Sequence, residues 1–151
     1  MMEWGRAGEA LAAEPGVAML IGAPSSGKTT CATVLANYCL DRGRPVAVVD
    51  ADIGQSDVGP PGTIGMGLVT APLRGMGDAG LTAAYFVGSN SPAGHVHHMV
   101  AGTRRMVDKA REMGAEAVIV DTTGAVHGWF ARDLKQAKID AVRPRYVIGL
   151  Q

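Results

Sequence analysis

The segment 22–29 reads Gly-Ala-Pro-Ser-Ser-Gly-Lys-Thr, which matches the phosphate-binding loop pattern GxxxxGK[ST] in full. The apolar run 17–21 precedes this loop and an amphipathic stretch follows it. Such a loop needs a strand before it and a helix after it, because the helix N-terminus and the backbone N–H groups of the loop bind phosphate together. The context therefore favours a nucleoside triphosphate site over a glycine-rich turn that only caps a helix.

The pattern also predicts what individual loop residues do. Gly22 and Gly27 are expected to let the backbone curl so that consecutive N–H groups point inward. Lys28 is expected to reach the β- and γ-phosphates, and the Thr29 hydroxyl to ligate Mg²⁺. Within the loop, the remaining hydroxyl side chains are expected to tune its shape rather than carry chemistry. The predicted phosphate-binding residues are Gly22, Ala23, Pro24, Ser25, Ser26, Gly27, Lys28, Thr29 and Thr30.

Short apolar runs recur along the chain and alternate with helical patterns. The runs do not alternate apolar with polar residues, which is typical of strands covered on both faces in a parallel sheet. Helices are predicted over 28–42, 95–113 and, less regularly, 129–139 from the spacing of their apolar residues. This alternation predicts an α/β, three-layer P-loop NTPase fold with a mostly parallel central sheet. The predicted strands are 17–21, 45–50, 82–87, 117–121 and 145–150.

Length and glycine content set the domain organisation. With 151 residues, one core is the expectation. Residues 1–14 are predicted to be a short helix or an extension before the first strand, followed by a nucleotide-binding domain over 15–151. The chain has 21 glycines, about double the average frequency, and many of them fall between 54 and 94. We therefore expect a loop-rich segment there.

Charge and hydropathy restrict the partners and the location. The chain has 14 basic and 14 acidic residues, a balance that does not support a broad electrostatic surface for nucleic acid. No secretory leader is apparent, and no run approaches the roughly 18 apolar residues of a membrane span. Cys31 and Cys39 lie on one predicted helix about 12 Å apart and cannot bridge each other. We expect buried reduced thiols and a cytoplasmic protein that does not contact the membrane.

A second constellation follows the second predicted strand, where 50–56 reads Asp-Ala-Asp-Ile-Gly-Gln-Ser. Residues two apart in a strand share a face, so Asp50 and Asp52 are expected to point the same way at the carboxyl edge of the sheet, where α/β proteins bind ligands. One carboxylate can hold Mg²⁺ or its water shell, and the other can accept a proton from an attacking group. We assign Asp50 to the metal and Asp52 to the attacking group.

A third element, 118–124, reads Val-Ile-Val-Asp-Thr-Thr-Gly. An acidic residue that closes an apolar strand is the Walker-B pattern, and the same residues satisfy the DxxG of GTPases. Either interpretation places Asp121 near the γ-phosphate.

Histidines and aromatic residues give weaker signals. His95, His97, His98 and His127 invite a metal hypothesis, but no Cys or carboxylate accompanies them at ligand spacing. Imidazoles also suit helix starts near phosphate sites. Trp4, Trp129 and Phe130 could stack on a base, although aromatic residues of this kind more often belong to a core.

These motifs occur in a specific order. The P-loop is followed by Asp-Ala-Asp-Ile-Gly-Gln-Ser, by Pro-Gly-Thr-Ile at 61–64, by Tyr-Phe-Val-Gly-Ser-Asn-Ser-Pro-Ala-Gly-His at 85–95, and by Asp-Thr-Thr-Gly at 121–124. Together they resemble the P-loop domain of the polynucleotide 5′-hydroxyl kinases of RNA processing, which include bacterial and archaeal members. The resemblance covers about 15–151.

The resemblance implies transfer of the ATP γ-phosphate to a 5′-hydroxyl end of RNA or DNA. It implies that Lys28 and Thr29 bind phosphate and Mg²⁺ and that Asp52 contacts the acceptor hydroxyl. Gln55 of the same motif and the segment Thr123-Gly124 are implied to lie beside the substrate. Eukaryotic relatives carry a Trp after that Thr-Gly that stacks on nucleic acid, whereas this chain has Ala125.

The family continues into an arginine-bearing lid and an accessory domain, both of which we expect to be absent from this chain. Positioning and charge stabilisation provide most of the catalysis in phosphoryl transfer, so such a chain is expected to bind ATP and to transfer phosphate poorly. The main alternative is a nucleotide-dependent switch ATPase of the partitioning or metal-insertion type. A GTPase is disfavoured, because no Asn-Lys-x-Asp follows 145–150. A binding module that uses ATP structurally stays open, as does the oligomeric state.

Overall fold

The structure, a computed structural model, describes residues 2–122, 124 and 128–151. Helices and strands alternate along these residues as the apolar runs predict, except over 46–86, where three strands follow one another without an α-helix between them. A short 3₁₀ helix spans Met76–Ala79. The elements are α1 (Met2–Ala13), β1 (Val17–Gly22), α2 (Lys28–Asp41), β2 (Val46–Ala51), β3 (Thr63–Val69), β4 (Ala83–Phe86), α3 (Val96–Glu112), β5 (Ala117–Thr122), α4 (Gly128–Val142) and β6 (Tyr146–Leu150).

The strands form one sheet in the order β4-β3-β2-β5-β1-β6. Within this order β2, β5, β1 and β6 run parallel to one another, and Asp121 of β5 lies opposite both Asp50 of β2 and Leu20 of β1. The chain crosses over β5 on its way from β1 to β2. In the opposite direction, it crosses over β1 on its way from β5 to β6. The two connections diverge at the pair β1–β5, and the carboxyl ends of strands at such a point form a crevice that binds ligands.

Two apolar layers cover the two faces of the sheet. On one face α1 and α2 pack against Ala18, Leu20 and Ile119 through residues such as Leu11 and Leu35. On the other face α3 and α4 supply a second set of buried residues. That set includes Met99, Met106, Val107 and Leu134, which pack against Met19, Val49 and Val120. The α/β three-layer prediction is therefore confirmed. Cys31 and Cys39 are both free and buried in the α2 layer.

The strand β3 was not expected, because glycines interrupt its apolar pattern. It runs antiparallel to both β2 and β4. A methyl group added at Gly65 would overlap the backbone of Val58, and one added at Gly67 would overlap the carbonyl oxygen of Gly80. The two glycines therefore let the neighbouring loops lie directly on the strand. The expected loop-rich segment over 54–94 thus contains the unpredicted strand Thr63–Val69, and the strand predicted over 82–87 forms β4.

Of the helices that the structure describes, none is both long and apolar enough to cross a membrane.

Candidate functional site

The P-loop leaves β1 at the carboxyl edge of the sheet and leads directly into α2. Ser25 has φ 61° and Gly27 has φ 93°, so two closely spaced residues adopt the left-handed conformation. An alternation of this kind turns backbone N–H groups toward one concave surface. Gly27 is the N-cap of α2 and has no side-chain cap. The first N–H groups of the helix are therefore available to an anion.

Gly22 serves the loop by permitting close contact rather than by an unusual φ. A methyl group added at this position would lie 2.9 Å from the carbonyl oxygen of Leu150 and closer still to Oγ of Ser26. Both contacts are tighter than side-chain carbons tolerate. The expected curl of the backbone thus comes from Ser25 and Gly27, and Gly22 allows the loop to pack against β6.

The side chain of Lys28 folds back over the P-loop. Its Nζ donates hydrogen bonds to the carbonyl oxygens of Gly22 at 2.9 Å and Ala23 at 3.0 Å. The residue is only 7% exposed. The ammonium group is thus held at the concave side of the loop, where phosphate oxygens could replace the carbonyls as acceptors.

Thr29 links the P-loop to the Walker-B aspartate. Its Oγ1 donates a hydrogen bond of 2.9 Å to Oδ2 of Asp121. The second carboxylate oxygen of Asp121, Oδ1, is buried and has no hydrogen-bond partner among the described residues. Burial raises the pKa of Asp121 to about 6, against the opposing effects of the Thr29 hydrogen bond and the Lys28 charge. The two side chains form an oxygen-rich pair at the β1–β5 crevice.

Asp50 holds the following loop in place. It is 1% exposed. One of its oxygens accepts hydrogen bonds from the N–H groups of Asp57 and Val58, and the other accepts one from Asp52 at 3.1 Å. Burial raises its pKa to about 7, and the three N–H groups oppose that rise. Both oxygens have backbone partners, so the assignment of Asp50 to the metal stays a prediction.

Asp52 lies beyond the end of β2 and faces the P-loop. Its Oδ1 accepts hydrogen bonds of 3.2 Å from the N–H groups of Gly54 and Gln55. These bonds fix the carboxylate in a tight turn. The other carboxylate oxygen accepts none of the hydrogen bonds found among the described residues, so it is available to a substrate.

One cleft of about 620 Å³ joins these groups. Gly124 closes one wall, where an added methyl group would lie 2.8 Å from Cγ of Pro24. The cleft brings together most of the predicted site residues, while Thr123, Ala125 and His127 lie outside the described residues. Its lining residues are Pro24, Ser25, Gly27, Lys28, Thr29, Thr30, Asp52, Gln55, Asp121 and Gly124.

Residues 22–151 match a family model described as the mRNA cleavage and polyadenylation factor CLP1 P-loop. The chain belongs to the CLP1 P-loop family. The resemblance noted from the motifs is thus confirmed.

Archaeal relatives of this CLP1 P-loop chain are named polyribonucleotide 5′-hydroxyl-kinases. The chain is 41% identical over 131 residues to the one from Thermococcus kodakarensis, which covers 87% of the chain and 37% of the relative. It is 40% identical over 133 residues to the one from Methanocaldococcus jannaschii, with 88% and 36% covered. The chain therefore spans little more than a third of the length of these relatives.

Solved structures with the same fold include two P-loop proteins. The structure of the Clp1p–Pcf11p complex matches all of the chain and 42% of its own chain with a TM-score of 0.79 at 14% identity. The 54 kDa signal recognition particle protein from Aeropyrum pernix, solved with GDP, matches 90% of the chain and 28% of its own chain with a TM-score of 0.55 at 30% identity. Both support the P-loop fold of this CLP1-family chain.

Two buried lysines of this CLP1-family chain were not anticipated from the sequence. Lys135 and Lys138 project from α4, and Nζ of Lys135 donates a 2.8 Å hydrogen bond to Oγ1 of Thr122 at the end of β5. The Thr122 hydroxyl in turn donates to the carbonyl oxygen of Leu20 at 2.7 Å. Lys138 is fully buried, and its Nζ has no hydrogen-bond partner among the described residues. The signal in the sequence was a lysine pair within the apolar stripe of the 129–139 helix.

Burial lowers the pKa of Lys135 to about 7 and that of Lys138 to about 8. The Lys138 and Lys28 charges lower the pKa of Lys135 further, while Asp52 and Asp121 favour the charged form of both lysines. Positive charge on α4 therefore lies within electrostatic range of the two acidic residues of the cleft.

The histidines at the start of α3 contact each other and Tyr85. The rings of His95 and His98 are 6.5 Å apart and tilted by 41°. The Tyr85 hydroxyl lies 3.4 Å from Nδ1 of His98. None of these histidines lines the cleft that holds the P-loop.

Proposed function

We propose that this chain binds ATP and transfers its γ-phosphate to the 5′-hydroxyl end of an RNA strand. The archaeal relatives carry polyribonucleotide kinase names, which favours RNA over DNA as the acceptor. We assign the nucleotide-binding role to 15–151, with α1 as an extension that packs on α2.

The observation that carries the proposal is the position of Asp52 opposite the P-loop within one cleft. A triphosphate held by the loop N–H groups and by Lys28 would have its γ-phosphate near Thr29 and Asp121. Asp52 is held by Gly54 and Gln55 on the other side of that position. An acceptor hydroxyl between Asp52 and the γ-phosphate would be in line for attack.

The reaction is a displacement at phosphorus. The acceptor 5′-oxygen forms a bond to the γ-phosphorus while the bond from that phosphorus to the β,γ-bridging oxygen breaks, and ADP leaves. Asp52 accepts the proton of the 5′-hydroxyl. Lys28 neutralises charge on the β- and γ-phosphate oxygens as the bond breaks.

The residues at the β1–β5 crevice fit a magnesium ion. Mg²⁺ prefers hydroxyl and carboxylate oxygens, and Thr29 and Asp121 present both within one hydrogen bond. The buried oxygen Oδ1 of Asp121 has no partner among the described residues, which suits an ion or a water molecule of its shell. When bound, Mg²⁺ would neutralise charge on the phosphates. We propose that Thr29 and Asp121 would bind the ion. Asp50 lies opposite Asp121 on the neighbouring strand.

The test is phosphate transfer from ATP labelled at the γ-phosphate to a 5′-hydroxyl oligoribonucleotide, by this chain and by any longer native form. We expect label in the RNA product, less label in a DNA strand of the same sequence, and none in RNA that already carries a 5′-phosphate. The Asp52→Asn chain should bind ATP like the wild type and transfer at a rate lower by about 10²–10⁴.

Binding and hydrolysis of ATP without labelled RNA, both by this chain and by any longer native form, would contradict the proposal and favour the switch ATPase. Equal labelling of RNA and DNA would contradict only the choice of RNA. Full transfer by Asp52→Asn would contradict the role of that residue.

A further inference from the structure

A second cleft lies on the far side of the P-loop from Asp52. It measures about 540 Å³, and Trp4 of α1, Ser26 of the P-loop and the end of β6 line it. Its volume falls in the range of small-molecule sites. The P-loop separates the two clefts, because Ser25, Gly27 and Lys28 line the first and Ser26 lines the second.

The direction of a bound nucleotide follows from the sheet order. β1 lies between β5 and β6, so the P-loop has the acidic crevice on one side and the end of β6 on the other. A triphosphate whose γ-phosphate lies near Asp121 must extend its sugar and base away from β5. That direction leads to the cleft at β6.

The walls of this cleft suit an aromatic ring. Ile148, Leu150 and Trp4 all line the cleft, and each is partly buried against the α1–α2 layer. The Trp4 ring lies beside the start of α2, with Cη2 3.6 Å from a methyl group added at Gly27. Aromatic side chains offer a stacking surface to any nucleobase.

Polar groups in the same cleft could fix the orientation of the nucleoside. Ser26 of the P-loop and Gly149 of β6 both line this cleft. Oγ of Ser26 is buried and has no hydrogen-bond partner among the described residues. Apolar walls with a few polar groups are typical of ligand sites.

We propose that this cleft binds the nucleobase of the nucleoside triphosphate, with Trp4 as the stacking surface. The inference deepens the proposed function, since it rests on the P-loop holding the triphosphate, but it does not depend on transfer to RNA. It assigns to α1, which precedes the P-loop domain in the sequence, a direct part in nucleotide binding.

Calorimetric titration with ATP and with inorganic tripolyphosphate, which lacks a base, tests the inference. Trp4→Leu keeps an apolar side chain in the α1–α2 layer and removes the aromatic face. We expect it to weaken ATP binding by about 5- to 150-fold, the range of base–aromatic stacking energies. Its affinity for tripolyphosphate should stay within about twofold of the wild type.

Tyr38→Leu is the matched control. Tyr38 is also an aromatic residue at the α1–α2 interface, where its ring contacts Gly8, but it does not line the cleft. Its replacement should leave the ATP affinity unchanged. An equal loss in Tyr38→Leu and Trp4→Leu, or an equal loss for both ligands, would show that Trp4 acts only through packing and would overturn the inference.

Fluorescence gives a second measurement that keeps Trp4 in place. In a Trp129→Phe chain the remaining tryptophan is Trp4. Its emission should change with ATP and stay unchanged with tripolyphosphate, whereas no response to ATP would overturn the inference. ATP binding that depends on Trp4 without transfer to RNA would contradict the kinase proposal alone. Failure of the wild type to bind ATP would overturn both.

Discussion

Oγ1 of Thr29 and Oδ2 of Asp121 are joined by a 2.9 Å hydrogen bond, although the two residues are 92 positions apart in the sequence. The bond connects the first turn of α2 to the end of β5. It brings the predicted Mg²⁺-binding hydroxyl to the Walker-B carboxylate. The parallel pairing of β1 with β5 makes this contact possible, because both strands end at the same edge of the sheet.

Thr29→Val tests the role of this pair. Valine keeps the shape of threonine and removes the hydroxyl, so we expect Mg²⁺-dependent ATP binding to weaken by about 10- to 100-fold. Thr29→Ser keeps the hydroxyl and should restore most of the affinity. The measurement is calorimetric titration of ATP with Mg²⁺ and with a chelator. If Thr29→Val loses no affinity in the presence of Mg²⁺, the pair does not hold the ion.

Lys28→Met tests phosphate binding by the P-loop. The variant keeps the apolar stem of Lys28 and removes the ammonium group, so ATP binding should be greatly weakened or abolished. The fold should persist at a cost of about 1–3 kcal/mol, since two hydrogen bonds to the carbonyl oxygens of Gly22 and Ala23 are lost. Calorimetry and thermal unfolding measure the two effects, with the exposed Lys109→Met as the control. Unchanged ATP affinity in Lys28→Met would show that the loop does not bind phosphate through this residue.

Replacement of Asp50 should lower the stability of the fold, whereas replacement of Asp52 should lower phosphate transfer. Asp50→Ala removes the acceptor of three backbone N–H groups, so we expect the free energy of unfolding to fall by about 2–4 kcal/mol. Asp52→Asn keeps the size of the side chain and should leave stability nearly unchanged while lowering transfer to RNA. Denaturant unfolding of Asp50→Ala and Asp52→Asn, and the transfer assay on Asp50→Asn and Asp52→Asn, check these two roles. If Asp50→Asn abolishes transfer and Asp52→Asn does not, the assignments are reversed, and if neither matters the kinase proposal fails.

The sequence allowed prediction of the features that depend on local pattern. The five apolar runs all form strands, and the P-loop lies between β1 and α2 as its consensus requires. The strand β3 was missed because Gly65 and Gly67, which resemble loop residues, are needed there for close packing of Val58 and Gly80. Packing between distant segments is not visible in a local pattern.

The different surroundings of Asp50 and Asp52 could not be predicted from the local sequence pattern either. The expected common direction of Asp50 and Asp52 assumed that the strand continues through both, but β2 ends at Ala51. Asp50 is therefore enclosed by the loop that follows it, while Asp52 lines the cleft. The buried lysines depend on how α4 sits against the sheet, which no spacing rule specifies.

Replacement of the buried Lys138 should increase the stability of the fold. A buried ammonium group without a hydrogen bond among the described residues is unfavourable, so Lys138→Met should raise the free energy of unfolding by about 1–3 kcal/mol at pH 7. The pKa of Lys138 is lowered from 10.5 to about 8 by burial. Because the folded state releases its proton first, the cost is fully present below pH 8 and diminishes as the pH rises toward 10.5. The gain from Lys138→Met should therefore be larger at pH 7 than at pH 10, as denaturant unfolding at the two pH values would measure. The exposed Lys109→Met should show no such difference, and a gain in Lys138→Met that is independent of pH would mean that the residue is not buried as a charge.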